Sequence, residues 1–395
     1  DEVVGAEHRR LNYSAFDVTH YLDKCGYSAI MFTKIPDNTV AQKTGIYEEN
    51  MLFTTVLTSA KIKPAVFRYA EKKKGKVTAK QLEEICRLAG ADMVGMFNTE
   101  RFAEFKRNFE KAVNIPAERK AVRDRGQIYG PYVPEIHTEA LSLKSPEMWL
   151  EGAKSVIVMG LHFPHSTVDT AKVTPAETIG PYVFAQTESH MLLKDMALKV
   201  VKYLNSRGYR AVFTSDLTGL SSKVMMNSRW PLPDNANLHA AMLAGLAYPG
   251  LHGYPITEKY GVRQRFITVI TDCPLVNSPL YQGPYACEKC EKPCITSCPT
   301  SAIKDKRVKI KIENKTFYLP SIDYFSCDWA RMYAMSGREG PQYYGLKRDL
   351  PVPKKKEAGE IVKAINKVEW GVQKRHINVC EECIRVCPAK GEKNG

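Results

Sequence analysis

The chain has 395 residues, with 57 Lys and Arg against 43 Asp and Glu, for a formal net charge of +14. A content of 44% hydrophobic and 25% charged residues is that of a globular chain and excludes a disordered or fibrous one. No run approaches the roughly 18–20 apolar residues of a membrane span, and the length allows about two or three domains. The positive charge suits an acidic partner: a low-potential electron carrier, an RNA or an anionic membrane surface. The lysine clusters at 71–76 and 353–356 read as exposed loops without the interleaved aromatics of a single-strand binder.

Residues 1–65 parallel a later stretch. Glu7-His8 precedes Gly26-Tyr27-Ser28-Ala29-Ile30-Met31-Phe32 by the same interval that separates Ser189-His190 from Gly208-Tyr209-Arg210-Ala211-Val212-Phe213-Thr214. Residues 53–58 (FTTVLT) likewise parallel 266–271 (FITVIT), so 1–65 reads as a degenerate repeat of the domain that follows. Residues 76–91 predict a helix, with Leu82, Ile85, Cys86, Leu88 and Ala89 as its apolar positions, and 92–97 a strand. A buried strand is expected at 153–161 and an amphipathic helix at 191–204, on Met191, Leu192, Met196, Val200, Val201 and Leu204. Strands follow at 210–214 and 266–271. The alternation predicts an α/β (α+β) domain over 76–280.

The last third is a cysteine module, 281–395. Eight of the eleven cysteines lie there in metal-type spacing. Cys287-x2-Cys290-x3-Cys294-x3-Cys298-Pro299 and Cys380-x2-Cys383-x3-Cys387-Pro388 both end in the C-x3-C-P of bacterial ferredoxins, whose fourth cysteine ligates the other cluster. The first run carries one extra residue before Cys294. Two four-thiolate clusters then lack one ligand, and Cys327 is the candidate. Crossed ligation gives one [4Fe-4S] cluster Cys287, Cys290, Cys294 and Cys387, and the other Cys298, Cys327, Cys380 and Cys383. Paired structural zinc sites are the rival reading. Cys25, Cys86 and Cys273 stand outside the pattern and are expected to be buried free thiols. Two clusters make an electron wire, and the preceding residues are expected to hold its sink.

The stretch 244–265 (AGLAYPGLHGYPITEKYGVRQR), running into a strand and 271–275 (TDCPL), resembles the corrinoid iron–sulfur reductases: the reductive dehalogenases and the related epoxyqueuosine reductases. The match extends from about residue 76 to 389, with GADMVG at 90–95, KSVIVMGL at 154–161 and a cysteine–tryptophan element at Cys327 and Trp329. The resemblance implies a nitroreductase-like cobalamin-binding domain with a ferredoxin-like module of two clusters. It also implies a base-off cobalamin whose cobalt works from the nucleophilic Co(I) state, fed by single electrons. No D-x-H-x-x-G motif is present to offer a histidine ligand. Gly245, Gly250, Gly253 and Gly261 would let backbone approach the corrin. Leu246, Leu251 and His252 would lie beside it, and Arg263 and Arg265 would pair with its phosphate or amide tail.

Departures from the family pattern concern proton delivery. The dehalogenases' tyrosine corresponds to His190, and their basic helper to Leu251, followed by His252. The epoxyqueuosine reductases' catalytic aspartate corresponds to Pro231, with Asp234 nearby. Imidazolium is a competent acid near neutral pH without a cationic neighbour, which would disfavour it. His190 is therefore the expected proton donor, with Asp234, Asn235, Asn237, His239 and His252 as further pocket candidates.

The expected activity is reductive dehalogenation of an organohalide. The alternatives are an epoxyqueuosine-type reduction on tRNA and a non-catalytic electron-transfer protein. Expected partners are the small substrate and a low-potential donor, either an acidic ferredoxin or flavodoxin or a membrane anchor subunit, and a second copy of the chain; nucleic acid is not expected. Asp1 in place of Met allows a removed export signal and a site on the outer membrane face, and a cytoplasmic site is equally allowed.

Overall fold

The computed structural model describes residues 2–32, 54–61, 74–113, 119–124, 134–139, 143–170, 181–219, 237–332, 350–355, 360, 363 and 382–391. Asp234, Asn235 and Cys380 lie outside them. The chain divides into two units, 1–76 with 205–208, and 77–204 with 209–395.

In the first unit, helix α1 (Glu2–Lys24) stops at Gly26, whose φ of +83° suits the left-handed turn. Strands β1 (Ala29–Phe32) and β2 (Thr55–Thr58) pair antiparallel, Ala29 opposite Thr58 and Phe32 opposite Thr55.

In the second unit, α2 (Ala79–Ala89) begins in a capping box: Thr78 accepts from the Gln81 N–H and Gln81 accepts from the Thr78 N–H. It ends at Gly90, φ +115°. Strand β3 (Met93–Asn98) leads into α3 (Thr99–Ala112), whose N-cap is Asn98. A hairpin, β4 (Arg119–Asp124) and β5 (Pro134–Glu139), comes before β6 (Ser155–His162). Next come α4 (Pro181–Ser206), β7 (Ala211–Thr214) and the short buried α5 (Leu238–Leu243). A small pair, β8 (Tyr248–Pro249) and β9 (Pro255–Ile256), precedes β10 (Gln264–Thr271).

The main sheet runs β3-β6-β10-β7, antiparallel at every pairing. The domain is therefore α+β, not a parallel α/β sheet. All eight residues of β10 are buried, as a central strand covered on both faces requires. Ser278 and Asn277, in the loop after β10, bond the backbone of Met96 and Asn98, so the outer edge of β3 is covered. β7 pairs with β10 with Ala211 opposite Thr271 and Thr214 opposite Thr268. Under the repeat alignment read from the sequence, this is the same register as β1 with β2.

Within the cysteine module, α6 (Pro293–Thr296) leads to a hairpin of β11 (Ile303–Ile312) and β12 (Lys315–Ile322). Helices α7 (Tyr324–Met332) and α8 (Glu382–Arg385) follow. The hairpin's Ile310, Ile312, Phe317 and Leu319 share one core with Phe102, Phe105 and Phe109 of α3 and Phe97, Val156 and Phe266 of the sheet. Arg101, 5% exposed, joins the same elements: it pairs with Glu313 at 2.8 Å and donates to the carbonyls of Leu243 and Ser278. No helix among the described residues is long and apolar enough to cross a membrane.

Candidate metal centre

Cys287, Cys290, Cys294 and Cys387 line one cavity with Leu251, His252, Lys292, Pro293 and Pro388. Three of these thiols come from the loop before α6 and its first turn, the fourth from the end of α8. Cys387 is held there from both sides. Its neighbours Ile384 and Cys383 pack in the cluster that contains Tyr248, Val262, Tyr281 and Ile303. Beyond it, Ala389 accepts from the Val262 N–H, and Gly261 (φ +57°) has no room for a Cβ beside the Ala389 carbonyl.

Burial raises all three of the most enclosed thiols: Cys287 upward, Cys294 to about 11 and Cys387 to about 12. Backbone N–H groups act in the opposite sense, from Leu251 to Cys287, Ile295 to Cys294 and Ala389 to Cys387. Lys292 N–H donates to Cys290 Sγ at 3.3 Å and Ala302 N–H to Cys298 Sγ at 3.2 Å. Such N–H···S bonds favour thiolate and tune clusters. A cavity ringed by four thiols, with backbone N–H donors to their sulfurs, therefore fits a four-cysteine iron–sulfur cluster. The four thiols do not converge on one point: among the described residues, no three His, Cys, Asp or Glu side chains come close enough to hold a single ion.

The second set is only partly described. Cys298 and Cys327 are brought near one another by Thr300, whose hydroxyl donates to the Ser326 carbonyl at 2.8 Å, and by the Asp323 N–H donating to Ala302 O. Cys383 is half-buried at the start of α8. Trp329, beside Cys327 on α7, is buried and donates to the Leu350 carbonyl. Of the thiols outside the pattern, Cys86 and Cys273 are buried as expected, but Cys25 is exposed. It follows α1 directly, where nothing in the described residues covers it.

The residues expected to cradle a corrin are occupied otherwise. Gly245 (φ +73°) lies against the Pro279 carbonyl and Gly250 against the His252 ring, so their missing side chains make room for this chain's own atoms. Gly253 has a φ of +85° and closes a tight turn with Gly250. Leu246 packs on the core, while Leu251 and His252 face the cysteine cavity. Arg263 is 2% exposed against His165, and Arg265, 4% exposed, lies over the rings of Phe163 and Tyr254 at 5.1 and 5.4 Å. Among the described residues, these glycines and arginines pack against the chain's own atoms.

His190 is half-buried on α4 and is not among the residues of the cysteine cavity. His239 is buried against Phe105 and Phe109, at 5.2 and 5.4 Å between ring centroids. Asn237 accepts from Leu217 N–H and donates to Phe266 O, an internal strut at φ +56°. Sequence reasoning passed over Arg101 and the Tyr248–Tyr281–Tyr285 group beside Cys287. The spacing of Tyr281 and Tyr285 ahead of Cys287 was the available signal.

Over 245 residues the chain is 26% identical to a tetrachloroethene reductive dehalogenase of Desulfitobacterium hafniense and to one of Dehalobacter restrictus. The alignment covers 58% of this chain, and the chain spans 39% of the length of those relatives. Among solved structures, a reductive dehalogenase described as suggesting a mechanism for B12-dependent dehalogenation gives a TM-score of 0.42 at 18% identity, covering 66% of this chain and 31% of that one. An epoxyqueuosine reductase solved with a tRNA-Tyr stem loop gives 0.33 at 17% identity, covering 57% and 52%. No family model matches. On sequence, then, the chain is similar to reductive dehalogenases, which are oxidoreductases.

Proposed function

We propose that this chain is an iron–sulfur- and corrinoid-dependent reductase that removes halide from an organohalide. The observation that carries the reading is the meeting of Cys287, Cys290 and Cys294 with the distant Cys387 around one cavity. A second cluster would take Cys298, Cys327, Cys380 and Cys383, and 1–65 would be a shortened repeat of the 76–280 domain. When bound, the clusters would supply single electrons and the corrinoid a two-electron centre. In the overall reaction the carbon–halogen bond breaks, a carbon–hydrogen bond forms, two electrons and one proton are consumed, and halide leaves. The chain's own residues hold the sulfurs, exclude water around them through Leu251, Pro293 and Pro388, and, at His190, hold the proton.

A second reading is favoured by the filled glycine positions: an electron-transfer protein with clusters and no corrin. The net charge of +14 favours, more weakly, an epoxyqueuosine-type reaction on tRNA. Metal analysis of anaerobically purified protein separates them. About eight iron and one cobalt per chain support the proposed reductase. His190→Phe in that preparation is then expected to keep its metal and to lose about a hundredfold or more in turnover. Eight iron without cobalt, even after reconstitution with cobalamin, leaves the electron-transfer protein; zinc in place of iron overturns both.

A further inference from the structure

The hairpin β11–β12 carries two unlike faces. Its inner face, Ile310, Ile312, Phe317 and Leu319, is core. Its outer face begins beyond a bulge between Lys304 and Arg307, where the register shifts. From there Arg307, Lys309 and Lys311 point outward in alternation, opposite Pro320, Tyr318 and Thr316. Lys304 and Lys306 extend the same exposed edge. Lys309 lies directly opposite Tyr318, which is 40% exposed, with Arg307 and Lys311 as its diagonal neighbours. The one acid within this stretch, Asp305, is held by Lys292 at 2.7 Å, and Glu313 at the hairpin turn by Arg101. Lys306, Lys309 and Lys311 have no ion-pair partner among the described residues.

Like charges this close repel, and a strand face without alternating signs gains nothing for the fold from them. Their place in the chain is informative. The hairpin lies between Cys298 and Cys327, and the Ala302 N–H that bonds Cys298 Sγ directly precedes β11. Arg307 donates to the Cys287 carbonyl at 3.2 Å and lies over the Tyr285 ring, whose hydroxyl donates to the Tyr318 carbonyl. The cationic face is therefore continuous with the loops that present both sets of candidate cluster ligands.

We propose that the outer face of β11–β12 is the docking surface for an acidic electron-carrier protein, with Tyr318 at its centre and Lys306, Lys309 and Lys311 as its steering charges. The inference rests on the iron–sulfur reading above. Charge complementarity selects the occupant: a carrier with a carboxylate-rich face around its redox centre neutralises the lysines, and an exposed aromatic inside a charged rim is the composition of a protein contact. A single-stranded nucleic acid would call for a series of exposed stacking aromatics; here Tyr318 is exposed, while its neighbour Tyr285, 6.2 Å away between ring centroids, is half-buried under Arg307. Such a contact is small and transient, and it acts mainly on the association rate.

The test uses the full chain loaded with iron, and follows bleaching of its clusters by a reduced acidic ferredoxin and, separately, by photoreduced deazaflavin, a small donor that needs no docking face. In K306E/K309E/K311E, the second-order rate with ferredoxin is expected to fall about tenfold or more at low ionic strength. The wild-type rate should descend toward the variant's as salt rises, and the deazaflavin rate should not change. The milder K306Q/K309Q/K311Q variant should fall in between. Equal ferredoxin rates in wild type and variants would overturn the proposal. So would unchanged ferredoxin rates with lost retention of tRNA or of anionic vesicles, which would assign the face to a polyanion. Failure to assemble any cluster would instead remove the iron–sulfur reading on which the proposal stands, and is seen in the iron content before any rate is measured.

Discussion

Single residues in this chain owe their roles to what encloses them. His239 is the clearest case: a ring in an aromatic cage, with Nδ1 unpartnered, so burial lowers its pKa to about 4. Its folded value lies below the unfolded 6.5. Near pH 7 and above the ring is largely uncharged in both states, so its titration takes little from stability. As pH falls from 6.5 toward 4, only the unfolded state takes up the proton, and stability drops by up to about 3 kcal/mol. In His239→Leu, urea unfolding at equal metal loading should show a shallower loss of stability across that window than wild type. Parallel curves would mean the ring is not buried as described. The sequence marked His239 as a pocket candidate because polar residues cluster around it. That Phe105 and Phe109 close over it depends on a helix not evident from local pattern.

At the scale of elements, the strands and α2 were legible because their signals are local. The 76–91 periodicity became Ala79–Ala89, trimmed by the Thr78 capping box and by Gly90. Thr78→Ala is expected to cost about 1 kcal/mol, read from the urea midpoint, while Lys80→Ala on the exposed side should change little. Helix α3 was missed since Phe102, Phe105 and Phe109 stand alone among Arg, Lys and Glu; only the sheet and the hairpin beneath them show that three phenylalanines suffice for a buried stripe. The hairpin β11–β12 was missed although a strand alternating isoleucine with lysine is amphipathic at period two; that its isoleucine face meets α3 shows only in the fold.

Across the whole molecule, the cysteine module and the sheet domain share one core, so the ligand loops are positioned by the α3–sheet assembly as well as by their own turns. Cys387 is the test of this. It reaches the Cys287–Cys294 loop because Ile384 packs in the core before it and Ala389 and Gly391 pack against 259–262 after it. Cys387→Ser is expected to lose the iron of one cluster, about half the total, while keeping the other. Loss of all iron would mean that the two ligand sets assemble as one, and no loss would remove Cys387 from the set.

Thiol spacing by itself pointed to the ligand types and suggested the crossed assignment, since a C-x2-C turn and a C-x3-C-P ending are local patterns; that Cys287, Cys290, Cys294 and Cys387 line one cavity was decided by the fold. The same holds for the strands, where side-chain alternation is local. Which glycines face a ligand and which face the chain itself was decided only in three dimensions. Gly245 and Gly261 read as places for close backbone approach, and they are; but the approaching groups are the carbonyls of Pro279 and Ala389. A glycine records that something comes near. Only the fold, which brings residues far apart in the chain together, says what it is.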